Sequence, residues 1–186
     1  MRKIISLLLV ALILSLPIAN DTQAARYFKP SLALLKKSRI IENRQSAYEP
    51  LAKELSQTGQ TVYAGIASVA PKYLQTPYLY AGITPEGFDC SGYIAYVHNE
   101  AGLALSRTSS QGYYNISKKV VQPVPGDLVF FEKTIAAPGI THMGIYIGEG
   151  KFIHASTSKG VTYGNVNDTY WKDKFVAYKR LDMLTN

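Results

Sequence analysis

"TPYLYAGITPEGFDCSGYIAYVHNEAGL", residues Thr76 to Leu103, contains the only cysteine of the chain, Cys90. The first half is rich in glycine and proline and reads as a loop. The second half reads as a helix from Cys90 to Ala101, closed by Gly102. Asp89 is a natural N-cap for that helix, because a carboxylate there accepts the N–H groups that a first turn leaves unpaired. A thiol in this turn sits where the backbone dipole favours negative charge, which lowers its pKa, whereas the neighbouring Asp89 raises it. Without a second cysteine no intrachain disulfide forms, so Cys90 is either a buried inert side chain or a nucleophile.

Upstream, Arg2 and Lys3 precede the apolar run "IISLLLVALILSL" (Ile4 to Leu16), Pro17 breaks it, and "TQA" ends at Ala24. This is the pattern of an export signal over residues 1–24; the run is short for a membrane span, which needs about 20 residues. An oxidising destination makes a lone cysteine more conspicuous. Removing that segment lowers the net charge from +7 to +6. Most of the excess lies in an arm, Arg26, Lys29, Lys36, Lys37, Arg39 and Arg44 against Glu42. It reads either as a solvated leader or as a patch that adheres to an anionic cell-wall or membrane surface. Export removes nucleic acid as a partner. Residues 25–60 are thus expected to form the basic arm and a leading helix, with Tyr48, Leu51, Ala52 and Leu55 at helical spacing and Gly59 as its stop. A 61–186 domain follows, opening with a helix from about Val62 to Leu74 that Pro71 distorts.

Strands dominate the second half. "GDLVFFE" (Gly126 to Glu132) reads as a central strand, and "VTYG" (Val161 to Gly164) and "FVAYKRL" (Phe175 to Leu181) as two more. "THMGIYI" and "KFIHAST" flank Gly148–Glu149–Gly150, a three-residue hairpin loop. Helices first and an antiparallel sheet second is an α+β pattern. In that hairpin Ile147 pairs with Lys151, Tyr146 with Phe152 and Gly144 with His154. His142, Gly144, Tyr146, Phe152 and His154 then share one face, and Met143, Ile145, Ile147 and Ile153 pack into the core on the other. His142 and His154 become diagonal neighbours, with Gly144 leaving room between them. His98 lies about 12 Å up the helix axis from Cys90 and reads as a surface or packing residue.

One thiol and two adjacent imidazoles suit nucleophilic acyl transfer: Cys90 attacks, one histidine moves the proton and the other orients it. The same three residues are a candidate zinc set, but no short-spaced ligand pair accompanies them, so neither metal nor cofactor is expected.

The blocks "TPYLYAGITPEGFDCSGYIAYV", "LSRTSSQ", "VPGDLVFF", "THMGIYIGEGKFIHASTSKGV" and "YWKDKFVAYKRL" resemble, in this order, the NlpC ("p-sixty") family of bacterial cell-wall cysteine peptidases. The resemblance covers roughly Val62 to Leu181. It implies a papain-like core, with N-terminal helices on a central antiparallel sheet; the chain is expected to be a monomer. The activity implied is hydrolysis of peptidoglycan stem peptides at γ-D-glutamyl–diaminopimelate or γ-D-glutamyl–lysine bonds, or at diaminopimelate–D-alanine cross-links. The family pattern makes Cys90 the nucleophile, His142 the base and His154 the third member. Tyr78 matches a tyrosine near the oxyanion, Asp89 and Ser91 match contacts to the stem peptide's polar ends, and Arg107 matches a substrate-loop arginine suited to a carboxylate. Transfer to an amine by the same Cys/His/His site, and cell-wall binding without cleavage, are the alternatives. Three positions depart from the family: Ala81 stands where a glycine is usual, Ser106 for a proline, and Gln75 for a helix-ending glycine.

Overall fold

The computed structural model describes residues 55–186. The expected signal peptide, the basic arm and residues 48–54 of the expected leading helix lie outside the described residues.

Helix α1 (Gln57–Val69) starts at Ser56, whose Oγ accepts from the Gly59 N–H at 3.0 Å. Gly59 therefore sits in a first turn rather than ending a helix. A Cβ there would lie 2.4 Å from the carbonyl oxygen of Leu184, so the glycine admits the chain's last turn against α1. Leu55, expected inside a helix, forms an antiparallel bridge with Thr185 instead. Pro71 acts as expected and converts the helix end into a 3-10 turn, Ala70–Tyr73. Two-residue strands β1 (Ile83–Thr84) and β2 (Gly87–Phe88) pair across the loop before helix α2 (Cys90–Glu100). A short helix α3 (Ser110–Asn115) and strand β3 (Ser117–Val120) follow, neither of which carries a strong periodic signal.

The main sheet adds β4 (Leu128–Glu132), β5 (Ile140–Gly148), β6 (Lys151–Ser156), β7 (Gly160–Asn165) and β8 (Phe175–Leu181), with helix α4 (Thr169–Lys172) between the last two. The strand order is β3-β8-β4-β5-β6-β7, and every neighbouring pair is antiparallel. The α+β expectation holds.

Alternation along the strands splits the apolar residues between two faces. Leu128, Phe130, Met143, Ile145, Ile153 and Ala155 join the buried stripe of α1 and α2 in the principal core. Val129, Phe131 and Phe152 form a second cluster with Trp171, Phe175 and Tyr178. A buried polar group ties α1 to the sheet. Asp127, from the Pro-Gly-Asp turn, receives Arg180 Nε at 2.8 Å, the Tyr63 hydroxyl at 2.5 Å and the Val124 N–H at 2.8 Å.

The hairpin differs from expectation at its tip. Tyr146 pairs with Phe152 and Ile145 with Ile153, but Gly148, not Ile147, pairs with Lys151. Glu149 (φ 53°) and Gly150 (φ 73°) are both left-handed, as a two-residue hairpin turn requires. The surplus residue enters the strand as a bulge near Ile147, which is 36% exposed rather than packed in the core. The slip lies on the loop side of Tyr146 and leaves both histidines on one face.

Candidate active site

Helix α2 presents Cys90 as its first residue. Asp89 caps it, accepting the Gly92 N–H at 2.6 Å. The same carboxylate accepts the Ser91 hydroxyl at 2.9 Å and Arg107 Nη2 at 2.5 Å. Asp89 and Ser91 are buried, while the Arg107 side chain is more than a third exposed. The structure thus joins three of the expected substrate contacts to one another, and their partners lie at the helix tip.

The ribbon β5–β6 supplies the imidazoles. His142 Nε2 and His154 Nδ1 are 2.8 Å apart, with the rings perpendicular. Gly144 is the residue that permits this approach: a Cβ on it would sit 2.8 Å from the Phe152 ring and 3.2 Å from the His154 Cβ. Trp171 lies over His142 with centroids 5.4 Å apart and an interplanar angle of 24°, and meets His154 edge-on at 5.1 Å. Phe131 and Phe152 complete the aromatic wall. Trp171 is the site residue missed from the sequence. It is the chain's single tryptophan, in a block that matched the family pattern, and that rarity was the available signal.

Cys90, His142, His154 and Tyr78 line one cleft of about 510 Å³ together with Trp171. Tyr78 is held there by backbone pairing of its neighbours: Leu79 N–H donates to the Phe88 carbonyl, and Phe88 N–H to that of Pro77. The backbone of Ser91, of Met143, the residue after His142, and of Cys90 itself favours the charged form of the thiol. His98 is fully buried, its Nδ1 2.8 Å from the Ile94 carbonyl oxygen, and belongs to the packing of α2.

Electrostatics set the resting protonation. Burial, and then Asp89, push the Cys90 thiol up to about 11, outweighing the opposing influence of the nearby backbone. Burial pushes both imidazoles below the ordinary range, with Asp89 opposing this at His142 and the neighbouring His142 and Lys159 reinforcing it at His154. A helix tip alone would lower the thiol's pKa; here desolvation and the acidic cap prevail. These shifts favour a neutral thiol beside neutral imidazoles at rest. When the His142 Nε2–H donates to His154 Nδ1, Nδ1 of His142 is left as a free lone pair.

A papain-like α+β domain with a thiol on a helix tip and a histidine pair on an adjacent ribbon is the class this geometry defines. The chain belongs to the NlpC/P60 family, whose model matches residues 75–180. It is 40% identical over 137 residues to the gamma-DL-glutamyl hydrolase of Bacillus subtilis, covering 72% of this chain and 33% of that protein. It is 44% identical over 115 residues to the probable peptidoglycan endopeptidase LytE of the same organism, covering 62% of this chain and 33% of that one. A lipoprotein-like NLP/P60 family protein of Staphylococcus aureus superposes with a TM-score of 0.59 at 34% identity, over 64% of this chain and 41% of that chain. The chain thus spans about a third of the length of these curated relatives. Among the described residues no helix is long and apolar enough to cross a membrane.

Proposed function

We propose that the chain is an exported cysteine endopeptidase that hydrolyses stem-peptide amide bonds of peptidoglycan, with γ-D-glutamyl–diaminopimelate as the favoured bond. The observation that carries this reading is the 2.8 Å imidazole pair sharing one cleft with Cys90. The names of the two B. subtilis relatives support it: one specifies a γ-glutamyl bond and the other a peptidoglycan endopeptidase.

In this mechanism His142 Nδ1 takes the Cys90 proton as sulfur attacks the scissile carbonyl. The oxyanion is met by backbone N–H groups at the α2 tip, with the Tyr78 phenol as a further donor. Burial raises the Tyr78 pKa and so keeps that phenol protonated. Collapse breaks the C–N bond, and His142 passes its proton to the departing amine. Water then attacks the Cys90 thioester, gives its proton to His142, and the acid product leaves as the thiol reforms. His154 and the Trp171 face hold the His142 ring in the productive tautomer and orientation. The Asp89–Ser91–Arg107 network fixes the helix tip, and the exposed edge of the Arg107 guanidinium is offered to a substrate carboxylate.

Digestion of defined muropeptides with mass analysis tests the reading. Cys90→Ala should abolish cleavage, EDTA should leave it intact, and the products should show a new γ-glutamyl carboxylate. Cleavage by Cys90→Ala at the wild-type rate would overturn it.

A further inference from the structure

We infer that Lys159 and Asp168 form a subsite on the leaving-group side of the cleft that reads a zwitterion: a side chain ending in both a carboxylate and an ammonium. The inference rests on the proposed hydrolysis. It concerns which residue departs as the amine.

The direction comes from the chemistry. The leaving nitrogen takes its proton from His142, so the leaving residue lies against the imidazoles and its side chain runs along the walls beyond them. Those walls are His154, Trp171 and the rim of the same cleft, where Lys159 in the turn between β6 and β7 and Asp168 ahead of α4 both contribute. Lys159 is close enough for its charge to depress the His154 imidazole.

Neither charge is spent on a protein partner among the described residues. Ion pairs there include Arg107–Asp89, Lys133–Glu132, Lys151–Glu149 and Arg180–Asp127, none of which involves Lys159 or Asp168. Asp168 stands at the N-cap of α4, yet its side chain makes no capping hydrogen bond. The carboxylate is exposed at the rim and free of that bond. The lining also includes the half-exposed ring of Tyr163, an apolar surface for an alkyl stem, and that of Tyr170, one face of which carries Lys174 Nζ.

Opposite charges on one rim discriminate. A side chain ending in an ammonium alone meets attraction from Asp168 and repulsion from Lys159. A terminus carrying both groups satisfies both. Diaminopimelate has such an end; lysine lacks the carboxylate.

The test compares γ-D-glutamyl-meso-diaminopimelate with γ-D-glutamyl-L-lysine peptides, reading the ratio of their kcat/KM values. Wild type should favour the diaminopimelate peptide. Lys159→Met should cut that ratio about tenfold, the scale of one charge-assisted hydrogen bond, and Lys159→Glu should cut it further. Raising the salt concentration should narrow the wild-type ratio, since the rim is exposed. A ratio unchanged by both substitutions would overturn the subsite while leaving the hydrolysis standing. Wild type inert on both peptides would contradict the hydrolysis itself, and the subsite with it.

Discussion

The helix tip and the ribbon reach the cleft by opposite physical means. At the tip, Cys90 is held by a polar network in which one carboxylate, Asp89, takes hydrogen bonds from Gly92, Ser91 and Arg107. On the ribbon, His142 and His154 share one hydrogen bond and are otherwise enclosed by Phe131, Phe152 and Trp171. Burial acts on both, but with opposite sign: it raises the thiol and lowers the imidazoles. In the proposed mechanism the nucleophile is thus kept protonated and the base kept free, so attack requires a proton to move first. A ready-made thiolate–imidazolium pair is disfavoured in the resting site.

Removing a proposed reacting group from either region should erase the contrast altogether. Cys90→Ala and His142→Ala should each cost about 10⁴-fold or more in kcat/KM, measured on a γ-D-glutamyl peptide. The contrast also presupposes a common frame, and Asp127 ties α1 to β4 and β8 within it. Asp127→Ala leaves Arg180 buried without this carboxylate and should destabilise by about 3–5 kcal/mol, read by urea denaturation.

Trp171→Ala should sharpen the comparison, because it opens the ribbon to water without touching the tip. Less desolvation raises the His142 pKa toward its ordinary 6.5. The base must be neutral to act, so activity is lost as pH falls through its pKa. The acid limb of the kcat/KM profile should therefore move upward in this variant, with a plateau loss of about 10–100-fold from misorientation.

The smallest effect belongs to the loop over the tip. Gln75 (φ 69°) and Ala81 (φ 59°) both adopt left-handed backbone, and both stand where the family resemblance expects glycine. Ala81→Gly should stabilise the fold by about 1 kcal/mol in the same denaturation assay, less whatever the greater freedom of the unfolded chain offsets.

Legibility from sequence differed between the two regions for related reasons. The tip was readable because capping is local chemistry: Asp89, three residues before Gly92, specifies its own hydrogen bond. The ribbon was readable as far as period-two alternation reaches, which placed His142 and His154 on one face. It failed at Ile147, where a two-residue turn with two left-handed positions expelled one residue as a bulge. Gly59 misled for a tertiary reason, since its lack of a side chain answers contact with Leu184, 125 positions away. Trp171 stayed hidden because a four-residue helix has no periodicity to read. The second apolar cluster that it joins draws on four separate elements.

The resting protonation of Cys90 separates the helix tip from the ribbon, and the pH dependence of its alkylation by iodoacetamide measures it directly. The rate should stay low through neutral pH and rise toward a midpoint near 11, the value to which burial and Asp89 push the thiol. Asp89→Asn, which keeps a capping oxygen but removes the charge, should bring that midpoint down. A wild-type midpoint below 7, unmoved by Asp89→Asn, would mean that a thiolate–imidazolium pair already exists at rest, and would contradict the account.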